Sequence, residues 1–189
     1  MCGVVVYVDD LLILGGKFAD DIISTVRQNI EMEDPVEVNR YLGVAHNIKR
    51  VSRGQHTDTT YVFDMVDDFR SSCEIFVAET GHELKLGTTT PAPRVISDKE
   101  LLALIDQPGQ YASAASYFLM KLMYGAGMSA PWLQVPIQGL ACHVTKWNAE
   151  CDRRLKRVYD YIWSNPDLVL TGSLSSEDGE HLSIHCWAH

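Results

Sequence analysis

Basic residues are scarce in this chain: 16 Lys and Arg stand against 25 Asp and Glu, a formal charge of −9 over 189 residues. A protein that coats nucleic acid needs basic surface to displace counterions, so any contact with phosphates has to be local. Long apolar runs are missing too, as no stretch of about 18 uninterrupted apolar residues offers a membrane-spanning helix. The N-terminus has Val4, Val5 and Val6 but no basic region or small-residue cleavage site. We therefore expect neither a membrane span nor a secretion signal. The five cysteines, Cys2, Cys73, Cys142, Cys151 and Cys186, contain no Cys-x-x-Cys pair and are odd in number. That pattern fits reduced thiols in an intracellular protein. Internal repeats and low-complexity blocks are also lacking.

What is present is a 46% apolar composition, enough for a real core in one ordinary domain or two small ones. Residues 3–8 and 11–15 are short, β-branched-rich runs on either side of Asp9-Asp10, which predicts a hairpin. Phe18, Ile22, Val26 and Ile30 recur every fourth position, with Asp20 and Asp21 early, which predicts an amphipathic helix. Residues 41–48 read as a strand closed by a turn around Gly54. Val62, Met65, Phe69, Cys73 and Phe76 mark a second helix that stops before Gly81. A Thr- and Pro-rich linker follows at 87–93, then a short helix at 101–105. Helices are predicted over 111–128, 136–147 and 151–163, with a final hairpin pairing 168–171 with 182–188 across a polar turn at 173–179.

Asp9-Asp10 is an unusual centre for a tight hairpin, because the favoured turns demand positive φ and select Gly or Asn. Two adjacent carboxylates also repel each other unless a cation neutralises them. A rigid hairpin holding such a pair suits Mg²⁺, which takes oxygen ligands and shares its shell with substrate phosphates. An exposed polar turn is the alternative, and these residues by themselves leave both open. Arg153, Arg154, Lys156 and Arg157 form the densest basic group, either a phosphate-contacting stripe or a solvated helix face. His181, His185, Cys186 and His189 fit a strand better than a zinc site, since His185 and His189 would stand about 13 Å apart in extended chain. Cys142-His143 has no His or Cys partner one turn further along.

Tyr7-Val8-Asp9-Asp10 followed by Leu11-Leu12-Ile13-Leu14-Gly15 resembles the signature hairpin of reverse transcriptases, in the wording of copia-type retrotransposons. Later features follow that family in order. Tyr41-Leu42-Gly43-Val44 resembles its strand after the palm helix, and Thr90-Pro91 its Thr-Pro after the thumb-like helix. Leu119-Met120-Lys121-Leu122-Met123-Tyr124 resembles a helix in the connection to ribonuclease H, and residues 154–162 the next basic helix. Residues 183–189 resemble the first ribonuclease H strand.

The resemblance implies an α+β chain in four parts. These are the C-terminal part of a palm (1–57), a thumb-like helix and linker (58–110), a helical connection (111–165), and a C-terminal β-hairpin that begins a ribonuclease H-like domain (166–189). The palm would hold the hairpin and the strand at 41–48 in one antiparallel sheet against the helix at 18–30. That shared sheet is the structural test of the palm assignment. The implied activity is RNA-directed DNA synthesis by two-metal nucleotidyl transfer, in which a primer 3′ hydroxyl attacks the α-phosphate of a deoxynucleoside triphosphate. Asp9 and Asp10 would be catalytic ligands of Mg²⁺ or Mn²⁺. Tyr7, Val8, Tyr41, Leu42 and Gly43 would contact the RNA/DNA primer-template, and the basic group on 153–157 its backbone. The remainder of the Pol polyprotein would be the partner, in a cytoplasmic virus-like particle that delivers its product to the nucleus.

Departures are legible as well. Gly127 and Ala130-Pro131-Trp132 stand where relatives carry Arg and Arg-Pro-Asp, and Met32-Glu33-Asp34-Pro35 lacks the usual lysine. The family's third carboxylate lies on an earlier strand, whereas only six residues precede Tyr7 here, and its first ribonuclease H aspartate falls just beyond His189. A non-catalytic interaction or scaffold remnant of a decayed element is therefore the second hypothesis. On either hypothesis the purified 189-residue chain is expected not to extend a primed template with Mg²⁺ or Mn²⁺. Robust extension that Asp9→Asn abolishes would overturn that expectation.

Overall fold

The computed structural model describes residues 3–14, 18–93 and 96–176. It is an α+β fold that divides into two compact units, Met1–His46 and Asn47–His189, with strand β4 (Val44–Arg53) running through the boundary.

In the first unit, β1 (Gly3–Tyr7) and β2 (Asp10–Leu14) pair antiparallel from Gly3↔Leu14 to Tyr7↔Asp10. Helix α1 (Ala19–Arg27) follows, with Asp20 and Asp21 in its first turn and Arg27 in its last, both favourable to the helix dipole. No residue of α1 is buried, and Phe18 and Ile30 flank it 45% and 59% exposed. The four-residue apolar repeat thus makes a helix that buries only part of its stripe. A second hairpin joins β3 (Arg40–Tyr41) to the start of β4 through Leu42-Gly43, whose φ values of +49° and +80° are those of a type I′ turn. The predicted continuous strand over 41–48 is therefore corrected: the chain reverses at Leu42-Gly43, and Arg40 Nη1 donates to the Gly43 carbonyl at 3.0 Å. The expected shared sheet is corrected too. β1 and β2 form a two-stranded sheet of their own, while β3 belongs to another. The palm arrangement loses its structural argument at this point.

In the second unit β4, β5 (His56–Asp64) and β6 (Val169–Ser175) are neighbouring strands. Gly54, at φ +64°, turns β4 into β5. β5 and β6 pair antiparallel over seven residues, from Asp58↔Ser175 to Asp64↔Val169, and Thr60 Oγ1 lies 2.9 Å from Ser173 Oγ. Two expectations change here. Val62 lies in a strand rather than in the second helix, and residues 173–175 are strand rather than turn, pairing back to β5. The predicted partner strand at 182–188 lies outside the described residues, as do His181, His185, Cys186 and His189.

Helix α2 (Val66–Thr80) starts where Asp64 Oδ1 accepts from Val66 N at 2.8 Å and ends at left-handed Gly81, φ +68°. α3 (Asp98–Ile105) opens on a capping box between Ser97 and Glu100. α4 (Ala115–Met128), α5 (Gln134–Ala141) and α6 (Ala149–Ser164) complete the helical part. Their buried faces meet around an aromatic cluster in which Phe76 of α2 stacks on Tyr159 of α6 with centroids 3.9 Å apart and planes 2° apart. Phe118 and Tyr111 approach Phe76 edge-on at 5.1 and 5.7 Å. Gly125 lets α4 close on α2, since a Cβ there would stand 2.9 Å from the Phe69 ring. Phe76→Ala is expected to cost about 3–5 kcal/mol in urea denaturation, because it removes the ring shared by three helices. A loss under about 1 kcal/mol would show that the cluster can collapse around the gap.

Candidate functional site

The Val4-Val5-Val6 and Leu11-Leu12-Ile13 runs face each other residue for residue, so the register closes on Tyr7↔Asp10 and leaves Val8 and Asp9 as the loop. The acidic pair is thus not the centre of the turn. Asp9 lies at the tip and Asp10 opens β2. The positive φ of this tight turn falls on Val8, at +52°, a conformation that a β-branched side chain resists. Val8 is 83% exposed, and both carboxylates are exposed beside it. Among the described residues no group of three or more His, Cys, Asp or Glu side chains is gathered as a metal site. The hairpin end therefore offers two adjacent carboxylates and, among the described residues, no gathered third His, Cys, Asp or Glu. That donor set fits Mg²⁺ or Mn²⁺ held by one or two carboxylates, with phosphate and water oxygens completing the shell.

Tyr41, Leu42 and Gly43 form the second hairpin's bend in the same unit, on a different sheet from Asp9 and Asp10. The Tyr41 hydroxyl is buried and meets no hydrogen-bond partner among the described residues.

The four basic residues of α6 belong to the second unit, and each meets a partner within the chain. Glu150 is 4% exposed and accepts from Arg153 Nε at 2.6 Å, Arg153 Nη2 at 2.7 Å and Arg154 Nε at 2.8 Å. Burial pushes the Glu150 carboxyl upward, but hydrogen bonds and charge from Arg153 and Arg154 outweigh it and hold the group below its ordinary value. The same bonds to Glu150 raise Arg153, against desolvation. Arg157 Nε donates to the carbonyls of Thr90 and Ala92 at 3.1 and 3.2 Å, astride Pro91. Lys156 Nζ stands 5.2 Å from the centroid of the Tyr111 ring. Arg153 and Arg154 are thus engaged within α6 itself, while Arg157 and Lys156 join the helix to its neighbours, which reduces what the four can offer to a phosphate backbone.

Sequence reasoning missed the buried acids of α6. Asp152 accepts from Tyr111 N at 3.2 Å and Trp147 Nε1 at 2.6 Å, and also from Gln110 N. Asp160 accepts from Lys85 N at 3.0 Å and lies 2.9 Å from His82 Nε2. A signal was there: Asp152 falls on the stripe of Leu155, Tyr159 and Ile162, where a solvated acid would be out of place.

Compared with known proteins, the chain matches no family model, no curated protein and no solved structure.

The Glu150 cluster sets a pH dependence. Its folded carboxyl titrates below the unfolded one, so its contribution is complete above the ordinary carboxylate range and is lost as pH falls through the folded value. Glu150→Gln should therefore lower stability at neutral pH and flatten the acid limb of the unfolding curve relative to wild type. Identical acid limbs in the two proteins would refute this role.

Proposed function

We propose that this chain is part of a copia-type RNA-directed DNA polymerase in which Asp9 and Asp10 ligate the catalytic divalent cations. One observation carries the reading: the Tyr7-Val8-Asp9-Asp10 motif forms a tight antiparallel hairpin with Asp9 exposed at its tip and Asp10 exposed where β2 opens. The ordered series of later motifs supports it independently. The shared palm sheet is not among its supports. In the reaction the cations would orient the triphosphate and neutralise the leaving pyrophosphate. The chain's own part is to hold one oxygen donor at the start of β2 and a second beside it in the turn. The strain at Val8 agrees with this, since sparsely populated backbone conformations concentrate at functional sites.

A second reading, a non-catalytic scaffold, is favoured by α4. Tyr117, Met120 and Tyr124 recur along one face and are 51%, 63% and 48% exposed, a stripe that a partner helix could cover. On that reading Asp9 and Asp10 are dispensable.

The deciding experiment joins the chain to the polypeptide encoded upstream in its own locus and assays primer extension on RNA and DNA templates with Mg²⁺. Extension should appear, and Asp9→Asn and Asp10→Asn should each lower it by at least about 100-fold while leaving the thermal midpoint in place. Extension indifferent to both substitutions would overturn the assignment. In the 189-residue chain, weak Mn²⁺ binding followed by water relaxation should fall in the same two variants.

A further inference from the structure

A cavity of about 320 Å³ opens beside α2 and the end of α6, within the second unit and distinct from the hairpin tip. Its wall is apolar, formed by Val66, Phe69, Leu86, Ile162, Trp163 and Leu168. The volume falls at the lower end of what small-ligand sites offer. Leu86 and Trp163 are 77% and 40% exposed, so the mouth presents apolar surface to solvent.

Pro166 and three polar residues, Arg70, Cys73 and Asn165, complete the lining. Asn165 is committed to the fold, since Nδ2 donates to the carbonyls of Thr88 and Tyr161 at 3.1 and 2.7 Å. The Cys73 thiol is wholly buried and stays protonated, pushed up to about 12 by burial and by the charges of Glu74 and Asp160. Arg70 is different. It is exposed, and no hydrogen bond or ion pair engages it among the described residues, although Glu74 lies one helical turn away. The lining thus carries one formal charge, a guanidinium with its donors free, at the edge of an apolar space.

From this geometry we infer that the cavity is a binding site for a small amphipathic monocarboxylate, its apolar body among Phe69, Ile162, Trp163 and Leu168 and its carboxylate paired with Arg70. A guanidinium matches a carboxylate with two parallel N–H donors. A single cation balances one negative charge, whereas a nucleotide or other polyphosphate would bring several into an apolar wall. A neutral hydrocarbon would fill the space and leave Arg70 unused. The inference concerns the second unit alone and does not depend on the polymerase reading.

Naphthoate and its uncharged counterpart naphthamide serve as probes, titrated calorimetrically into the full chain. Naphthoate should bind saturably, and Arg70→Gln should weaken it by about tenfold or more, the scale of a charge-assisted pair. Naphthamide should bind more weakly and be indifferent to Arg70→Gln. Because Arg70 is exposed and unpartnered, that variant is expected to keep the wild-type melting midpoint. Val66→Phe, which fills the space from the first turn of α2, should weaken both probes. No saturable binding of naphthoate at millimolar concentration would overturn the assignment, as would equal affinity of wild type and Arg70→Gln for it.

Discussion

The second unit depends on a helix that carries hydrogen-bonding side chains into its own buried face. Residues 81–93 contain no helix or strand, yet Thr88 within them is buried, and buried backbone groups must find partners. α6 supplies them. Asp160 takes the Lys85 N–H, Ser164 Oγ takes the Thr88 N–H, Asn165 gives to the Thr88 carbonyl, and Arg157 gives to Thr90 and Ala92. At the other end of the helix Asp152 does the same for Gln110 and Tyr111. Without these side chains the connector would have to leave the surface of α6 for water. The Phe76–Tyr159 stack and the His82 ring edge-on to Phe76 would lose their cover with it.

The same contacts explain why the basic stripe of α6 reads differently in sequence and in space. A run of four cations in five residues suggests a surface for an anion, and the sequence says nothing of what lies opposite. The partners come from 3 to 67 residues away: Glu150 for Arg153, and the Thr90 carbonyl for Arg157. A carboxylate within one turn is legible by spacing. A backbone carbonyl in a proline-rich connector is not, because its availability depends on the path of the connector.

How much of the fold was legible follows this division between local and distant causes. The β1–β2 hairpin, the stop of α2 at Gly81, the short α3, and α4 and α6 within a few residues were readable from periodicity and breakers, which act within a turn or two. β5 was missed because Thr57, Asp58, Thr59 and Thr60 are too polar to look like a core strand. It exists by pairing with β6, more than 100 residues away, as the contact from Thr60 to Ser173 shows. The Leu42-Gly43 turn was missed because leucine is a poor signal for positive φ, and only the pairing of Tyr41 with Val44 imposes it. At the candidate site the carboxylate pair was readable as residues. Which of them sits at the tip was not, since one step of register decides it.

That one step matters chemically. With the loop at Val8-Asp9, the residue opposite Asp10 is Tyr7, so these two side chains share a face of the ribbon while Asp9 projects from the bend. Had Asp9 and Asp10 both occupied the loop, their carboxylates would follow a mobile turn. Anchored in β2, Asp10 has its position fixed by a ladder of five pairs, and Asp9 is tied to it by one peptide. The two-residue loop sets that register, but an isolated two-stranded ribbon is marginal in water. Val4, Val5 and Val6 are 43%, 46% and 64% exposed, so β1 presents apolar side chains that its own unit does not cover. A strained valine at the tip adds to that cost rather than relieving it. A sequence under selection only for the stability of this hairpin would place glycine at position 8, where positive φ is free of strain. Stability therefore does not explain the valine at position 8, which directly precedes the two carboxylates in the chain.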